Sequence, residues 1–178
     1  LYNLYIIIII AKGQFVTMDL FDDLRNSNKQ VPLAEILRPK TLDEYLGQTE
    51  IISNNSALFG LLNSGRLFSV LFWGPPGCGK TTLARLLAKK VNAEFIELSA
   101  VTSGVKDIKD TVEKAKENLT YGKKTILFLD EIHRYSKTQQ DALLPHVENG
   151  TFYLMGSTTE NPSFQVIPAL LSRVRVMR

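Results

Sequence analysis

The sequence predicts an α/β fold: an open parallel sheet of about five strands with helices on both faces. Three observations lead there. From Ser69 onward, apolar runs alternate with amphipathic stretches, the pattern of parallel strands joined by crossover helices. The first of these runs ends at Trp73, breaks into a turn holding Gly74, Gly77 and Gly79, and re-emerges as a helix. The strongest run, "KKTILFLD", closes on the adjacent acids Asp130 and Glu131, at the carboxyl edge where open α/β sheets place their ligands.

The elements follow in order. "LYNLYIIIIIA" is apolar, too short to span a bilayer, and lacks the leading charge of a signal peptide. With Met18 following as an initiator, Leu1–Thr17 reads as read-through sequence, and a short membrane anchor is the alternative. Residues 1–30 are expected to be a loose segment ahead of one core domain over 31–178. "PLAEILRPKTLDEYLGQ" mixes short helical turns with Pro32 and Pro39, each of which interrupts a helix. Leu58, Leu61 and Leu62 predict a helix over 55–63, with Gly65 as its stop. Ser69–Trp73 is a buried strand and Lys80–Val91 a helix with Leu83, Leu86 and Leu87 on one face. Glu94–Leu98 is the next strand. Val105, Ile108, Val112, Ala115 and Leu119 stand at helical spacing. Thr125–Asp130 suits a central parallel strand. Ser136 caps a helix carrying Ala142, Leu143 and Val147. "TFYLMGSTT" is a further strand, and Pro168 opens a short helix ending near Arg173.

Composition narrows the class. At 178 residues and 44% hydrophobic content, the chain can build one full core. The net charge of +3, from 21 Lys+Arg against 18 Asp+Glu, tolerates nucleic-acid contact without establishing it. Cys78 is the single cysteine, which excludes an internal disulfide and suits a reducing cytoplasm.

The glycine turn carries the chemistry. "GPPGCGKT", Gly74, Pro75, Pro76, Gly77, Cys78, Gly79, Lys80 and Thr81, fits G-x-x-x-x-G-K-T, whose inward amides and following helix N-terminus cradle phosphates. Lys80 would reach the β- and γ-phosphates, and the Thr81 hydroxyl would hold Mg²⁺. Asp130 would hold the same metal through water, and Glu131 would deprotonate an attacking water. Thr158 and Thr159 end the following strand, where a hydroxyl can position that water or form an ordinary polar turn. Ser99 favours a helix-entry turn over a contact with Glu131. Arg173 suits a charge donor to a neighbouring subunit's site, or a surface arginine at a helix end. His133 and His146 lack metal-like companions and read as solvated or structural. Lys106 through Lys124 interleave with acids and form a solvated face, with the turn at Ser103–Lys106 left as a candidate for backbone contacts to nucleic acid.

Together these residues resemble the AAA+ ATPases, and among them the replication-associated recombination protein A family. The resemblance covers Val31 to about Met177. The phosphate loop and the Asp-Glu pair are shared by all AAA+ ATPases. "SAVTSGVKDI", "QQDALLPH" and "TTENPSF" are more specific and separate this family from clamp-loader subunits and branch-migration motors. The resemblance implies ATP and Mg²⁺ as cofactors, held by Gly74 through Thr82 with Asp130. It makes Glu131 the catalytic glutamate, Thr159 a sensor residue and Arg173 an arginine finger, and it sets Arg38, Pro39 and Tyr45–Gln48 against the adenine. It further implies a DNA-stimulated ATPase of stalled or gapped forks, cytoplasmic and nucleoid-associated in a bacterium. DNA would be its partner, and a homo-oligomer would assemble through a C-terminal region. The sequence departs in having Cys78 where most members have Thr, in stopping before a lid domain, and in its apolar N-terminus. A clamp-loader-like or RuvB-like subunit, or a nucleotide-switched scaffold with little turnover, is the alternative. A sliding clamp or single-strand-binding protein is a further expected partner. "TMDLFDD" loosely resembles a clamp-binding peptide without its usual glutamine, and local packing is the competing reading.

Overall fold

The structure, a computed structural model, describes residues 6–9, 15–18, 32–47 and 66–178. The chain divides into two compact units, Leu1–Arg38 and Pro39–Arg178. In the first, β1 (Ile6–Ile9) pairs antiparallel with β2 (Phe15–Met18), Ile6 opposite Met18. Ile6–Ile9 is wholly β-branched, and β2 adds Val16 and Thr17, residue types that favour extended pairing. The same unit holds the short helix α1 (Leu33–Ile36), after which Arg38 turns back to the Glu35 carboxylate at 2.6 Å. The helix expected over 55–63 and the Leu20-Phe21 peptide lie outside the described residues.

The second unit is the predicted open sheet. Its strands are β3 (Val70–Trp73), β4 (Glu94–Ser99), β5 (Thr125–Asp130), β6 (Tyr153–Thr158) and β7 (Arg175–Met177). All pair in parallel, in the order β4-β5-β6-β3-β7. Helices α2 (Lys80–Lys90) and α3 (Val105–Thr120) follow β3 and β4. Alternate strand residues go to opposite faces. Leu71, Leu127, Leu129 and Leu154 pack with Ile108, Val112 and Ala115 of α3. Val70, Phe72, Ile126, Phe128 and Met155 pack with Leu83 and Leu87 of α2. Ile126 through Leu129 are fully buried, and each such side chain contributes about 1.5–3 kcal/mol over exposure. Burial on both faces explains why this run is apolar without alternation.

Two local predictions need correction. Ser136 does cap a helix, accepting from Gln139 N while Gln139 Oε1 accepts from Ser136 N. The helix then breaks into α4 (Lys137–Asp141) and α5 (Leu144–Glu148), because Pro145 has no N–H for the carbonyl four residues back. Past β6, α6 (Pro162–Gln165) and α7 (Pro168–Leu171) lead into β7, a strand the sequence pattern did not assign. It is short and flanked by charge. Arg175 N donates to Ser69 O at 2.9 Å, and the Arg175 and Arg178 guanidinium groups sit over the rings of Phe68 and Trp73. Charge on an edge strand also discourages pairing with another sheet. Among the described residues, no helix is long and apolar enough to cross a membrane.

His146 sits on α5 with its ring near Phe152, and among the described residues its buried Nδ1 has no hydrogen-bond partner. Burial, and then the nearby Lys116 charge, hold its pKa below the usual histidine value. The unfolded chain therefore binds a proton here before the folded one does. Stability is expected to fall as pH drops through the ordinary histidine range, near pH 6.5. Urea midpoints at pH 7.5 and 5.5 check this. The acid-induced loss should shrink in His146→Gln; an unchanged loss would assign the slope to other groups.

Candidate nucleotide site

β6 lies between β3 and β5, so three strand ends meet at one edge of the sheet. The glycine loop leaves β3, the acid pair leaves β5, and the threonines leave β6. Backbone bonds tie them: Gly74 N donates to Thr158 O at 3.1 Å, and Trp73 stands opposite Thr158 in the ladder.

The loop runs from Gly74 to Gly79. Gly77 and Gly79 have φ of 75° and 90°, left-handed values that side chains resist. At Gly79 a second constraint operates, since a Cβ there would fall 2.5 Å from Tyr45 Oη. Helix α2 begins directly after Gly79, and among the described residues no side chain caps its first amides, which leaves donors and a positive dipole end for an anion. Lys80 Nζ is held across the loop by the carbonyls of Gly74 and Pro75, at 2.9 and 2.8 Å. Thr81 follows at the open side of α2, and Thr82 is buried. These residues fit a nucleotide's phosphates: the cradle is backbone, the cation is in place and the helix end is uncapped.

The family resemblance sets Tyr45 beside the adenine. It is buried against the loop, and its hydroxyl donates to Cys78 O at 3.2 Å. Burial, and then Cys78, raise its pKa above the usual tyrosine value, so it stays a donor. Pro39 begins the second unit, whereas Arg38 ends the first and is bonded to Glu35.

Asp130 and Glu131 end β5. The buried Ser157 hydroxyl donates to Asp130 Oδ1 and accepts from Glu131 N at 3.2 Å. Glu131 adopts φ 55°, ψ 48° and starts a one-turn 3₁₀ helix, Ile132–Arg134. Its Oε2 lies 3.2 Å from His133 Nδ1 and 3.5 Å from Thr159 Oγ1. Thr159 Oγ1 thus stands beside the Glu131 carboxylate at the outer limit of a hydrogen bond. Thr158 Oγ1 lies 3.0 Å from His133 Nδ1. Among the described residues no three His, Cys, Asp or Glu side chains form a metal cluster. A magnesium ion here would depend on Asp130, Thr81 and phosphate oxygens, its usual partners.

The remaining candidates make other bonds, although Ser99 stands opposite Asp130 in the ladder. Ser99 accepts from Val101 N at 3.3 Å, the helix-entry turn favoured by sequence. Arg173 follows α7, bound to the Glu148 carboxylate and to Ala169 O at 2.6 Å. Its partners belong neither to the loop nor to the acid pair. The sequence pattern passes over Ser157 and reads His133 as solvated or structural. "GSTT" marks a strand end without saying which hydroxyl turns inward, and "DEIH" hides a histidine whose hydroxyl partner comes from another strand.

A parallel sheet with a phosphate loop after one strand and an acid pair after another defines a P-loop nucleotide hydrolase. The chain belongs to the ATPase family associated with various cellular activities (AAA), whose pattern matches residues 70–178. It is similar to Replication-associated recombination protein A of Haemophilus influenzae, 52% identical over 145 residues, covering 82% of this chain and 32% of that protein. The Escherichia coli protein of that name is 50% identical over 151 residues, covering 85% and 34%. ATPase WRNIP1 of Dictyostelium discoideum is 52% identical over 147 residues, covering 83% and 17%. The chain spans about a third of the length of these bacterial relatives. Among solved structures, the RuvB Holliday junction branch migration motor of Thermotoga maritima superposes with a TM-score of 0.64 at 32% identity, over 79% of this chain and 48% of that one.

Cys78 offers a direct readout of the loop. Its Sγ lies 3.8 Å from Lys80 Nζ. Alkylation of Cys78 is expected to block ATP binding, and Mg-ATP is expected to protect the thiol. Labelling followed by mass spectrometry checks this, and equal rates with and without nucleotide would contradict it.

Proposed function

We propose that this chain is the ATP-binding and ATP-hydrolysing motor domain of a DNA-dependent AAA+ ATPase acting in replication-fork maintenance, recombination and repair. The observation that carries the hydrolytic part is the convergence of the Lys80 loop, the Asp130-Glu131 pair and Thr159 at one sheet edge. The cellular part rests on the names of the similar proteins, a replication-associated recombination protein and a branch-migration motor.

In this reading the amides of 74–81 and the α2 N-terminus hold the phosphates, and the Lys80 ammonium moves from the Gly74 and Pro75 carbonyls onto them. Bound Mg²⁺ would offset charge on the β- and γ-phosphates. Thr81 and Asp130 would hold that ion, with Ser157 fixing the carboxylate's orientation. The Glu131 carboxylate takes a proton from the attacking water, and Thr159 helps to position that water. Arg173 serves a neighbouring subunit: its planar, permanently charged fork can contact two phosphoryl oxygens at once. Release from Glu148 would precede that contact.

The test uses the full-length protein with forked or gapped DNA, which should raise the ATPase rate. Lys80→Ala should lose ATP binding. Arg173→Ala should keep binding and lose most turnover, since such fingers contribute roughly 10³–10⁵ in related hydrolases. Mixing the two variants should restore part of the activity, because some interfaces then pair an intact loop with an intact arginine. Verified co-assembly without recovery would overturn the role of Arg173 between subunits.

A further inference from the structure

We propose that His133 is a positioning residue for Glu131, holding the carboxylate of the general base through its Nδ1–H. The inference rests on the reading of Glu131 as that base.

His133 stands on the single 3₁₀ turn after the acid pair, and its side chain is 4% exposed. Two groups face Nδ1: Thr158 Oγ1 at 3.0 Å and Glu131 Oε2 at 3.2 Å. The hydroxyl hydrogen of Thr158 is directed at Glu160 O, 3.2 Å away, while the same oxygen accepts from Glu160 N at 3.1 Å. Thr158 therefore turns a lone pair toward the ring, and the carboxylate is an acceptor too. With acceptors on both sides, the proton belongs on Nδ1. Thr158 is fully buried in β6, so it anchors the ring to the strand between the phosphate loop and the acid pair. The ring in turn holds Glu131.

Glu131 needs such a holder. Its backbone bends into the left-handed region and its carboxylate is about one-third exposed. Among the described residues, the other group near that carboxylate is Thr159 Oγ1, at 3.5 Å, the outer limit of a hydrogen bond. A part-exposed glutamate with a single long contact samples several rotamers, and a general base must be aligned with its water. The opposite ring nitrogen, Nε2, lies 3.5 Å from Glu160 Oε1. Glu160 is half exposed, so that contact is the weaker one. The two nitrogens are separable by mutation. Asparagine sets an amide nitrogen where Nδ1 stands, and glutamine sets one where Nε2 stands.

The experiment compares His133→Asn, His133→Gln and His133→Ala in the full-length protein, with ATP affinity and turnover measured separately. ATP dissociation constants should stay at the parent value in all three, which also reports a folded site. Turnover should fall by about 10- to 100-fold in the Gln and Ala variants, the range a misaligned catalytic group produces. It should stay within a few-fold of the parent in His133→Asn. A purely space-filling histidine would give the reverse order, because glutamine preserves more bulk than asparagine. Should His133→Ala fail to fold, the Asn and Gln pair still decides. The proposal is overturned if Asn is as slow as Gln, or if Gln turns over like the parent. Glu131→Gln, run alongside, separates the two levels. Retained hydrolysis there removes the base reading and this proposal with it. An inactive Glu131→Gln beside an overturning His133 pattern removes the proposal alone.

Discussion

The Ser157 hydroxyl donates to the Asp130 carboxylate and accepts the Glu131 amide at 3.2 Å, with no exposure to solvent. One oxygen thus satisfies two consecutive residues that leave β5 in different directions. Glu131 turns into a left-handed conformation, which for a residue with a side chain costs on the order of 1–2 kcal/mol. A charge-assisted bond at Asp130 and a satisfied amide at Glu131 offset that cost, each worth about 1–3 kcal/mol in a buried setting. Without the serine, the bend would leave a half-buried amide unpaired and a carboxylate free to rotate.

Sheet order makes this bond available. Ser157 belongs to β6, and β6 reaches Asp130 because it is inserted between β3 and β5. The same insertion lets Thr158 O accept from Gly74 N, tying the phosphate loop to the strand that holds the acids. Gly74, Asp130 and Glu131 are therefore tied to one another through adjacent strand ends. Apolar burial on both faces, from Ile126 to Leu129 in β5 and from Val70 to Phe72 in β3, keeps those ends in register. Tyr45 adds support from beneath, its hydroxyl on Cys78 O and its ring against Gly79.

How much of this could be read from the sequence follows from the range of each signal. The phosphate loop is local: three glycines, a lysine and a threonine within eight residues carry the whole device. Asp130 and Glu131 were legible because they end the most apolar run, and the strands and helices between them because burial imposes a period. Tyr45 was placed near the nucleotide, yet its contact is made 33 residues away in sequence, where no spacing rule reaches. His133 read as solvated or structural because the hydroxyl that anchors its ring, Thr158 Oγ1 on β6, lies 25 residues downstream. β7 escaped because three residues that begin with Arg175 and run into Arg178 show no periodicity. The break between α4 and α5 was visible in Pro145, but the apolar spacing of Leu143 and Val147 outweighed it.

The central claim is that Ser157 organises the acidic half of a nucleotide site, and the Mg²⁺ dependence of Ser157→Ala tests it most directly. ATP affinity without Mg²⁺ depends on the loop and Lys80, and should match the parent. The Mg²⁺ concentration for half-maximal hydrolysis should rise by about tenfold, the equivalent of one lost charge-assisted bond, and turnover should fall with it. A variant with the parent's fold, Mg²⁺ dependence and turnover would contradict the account.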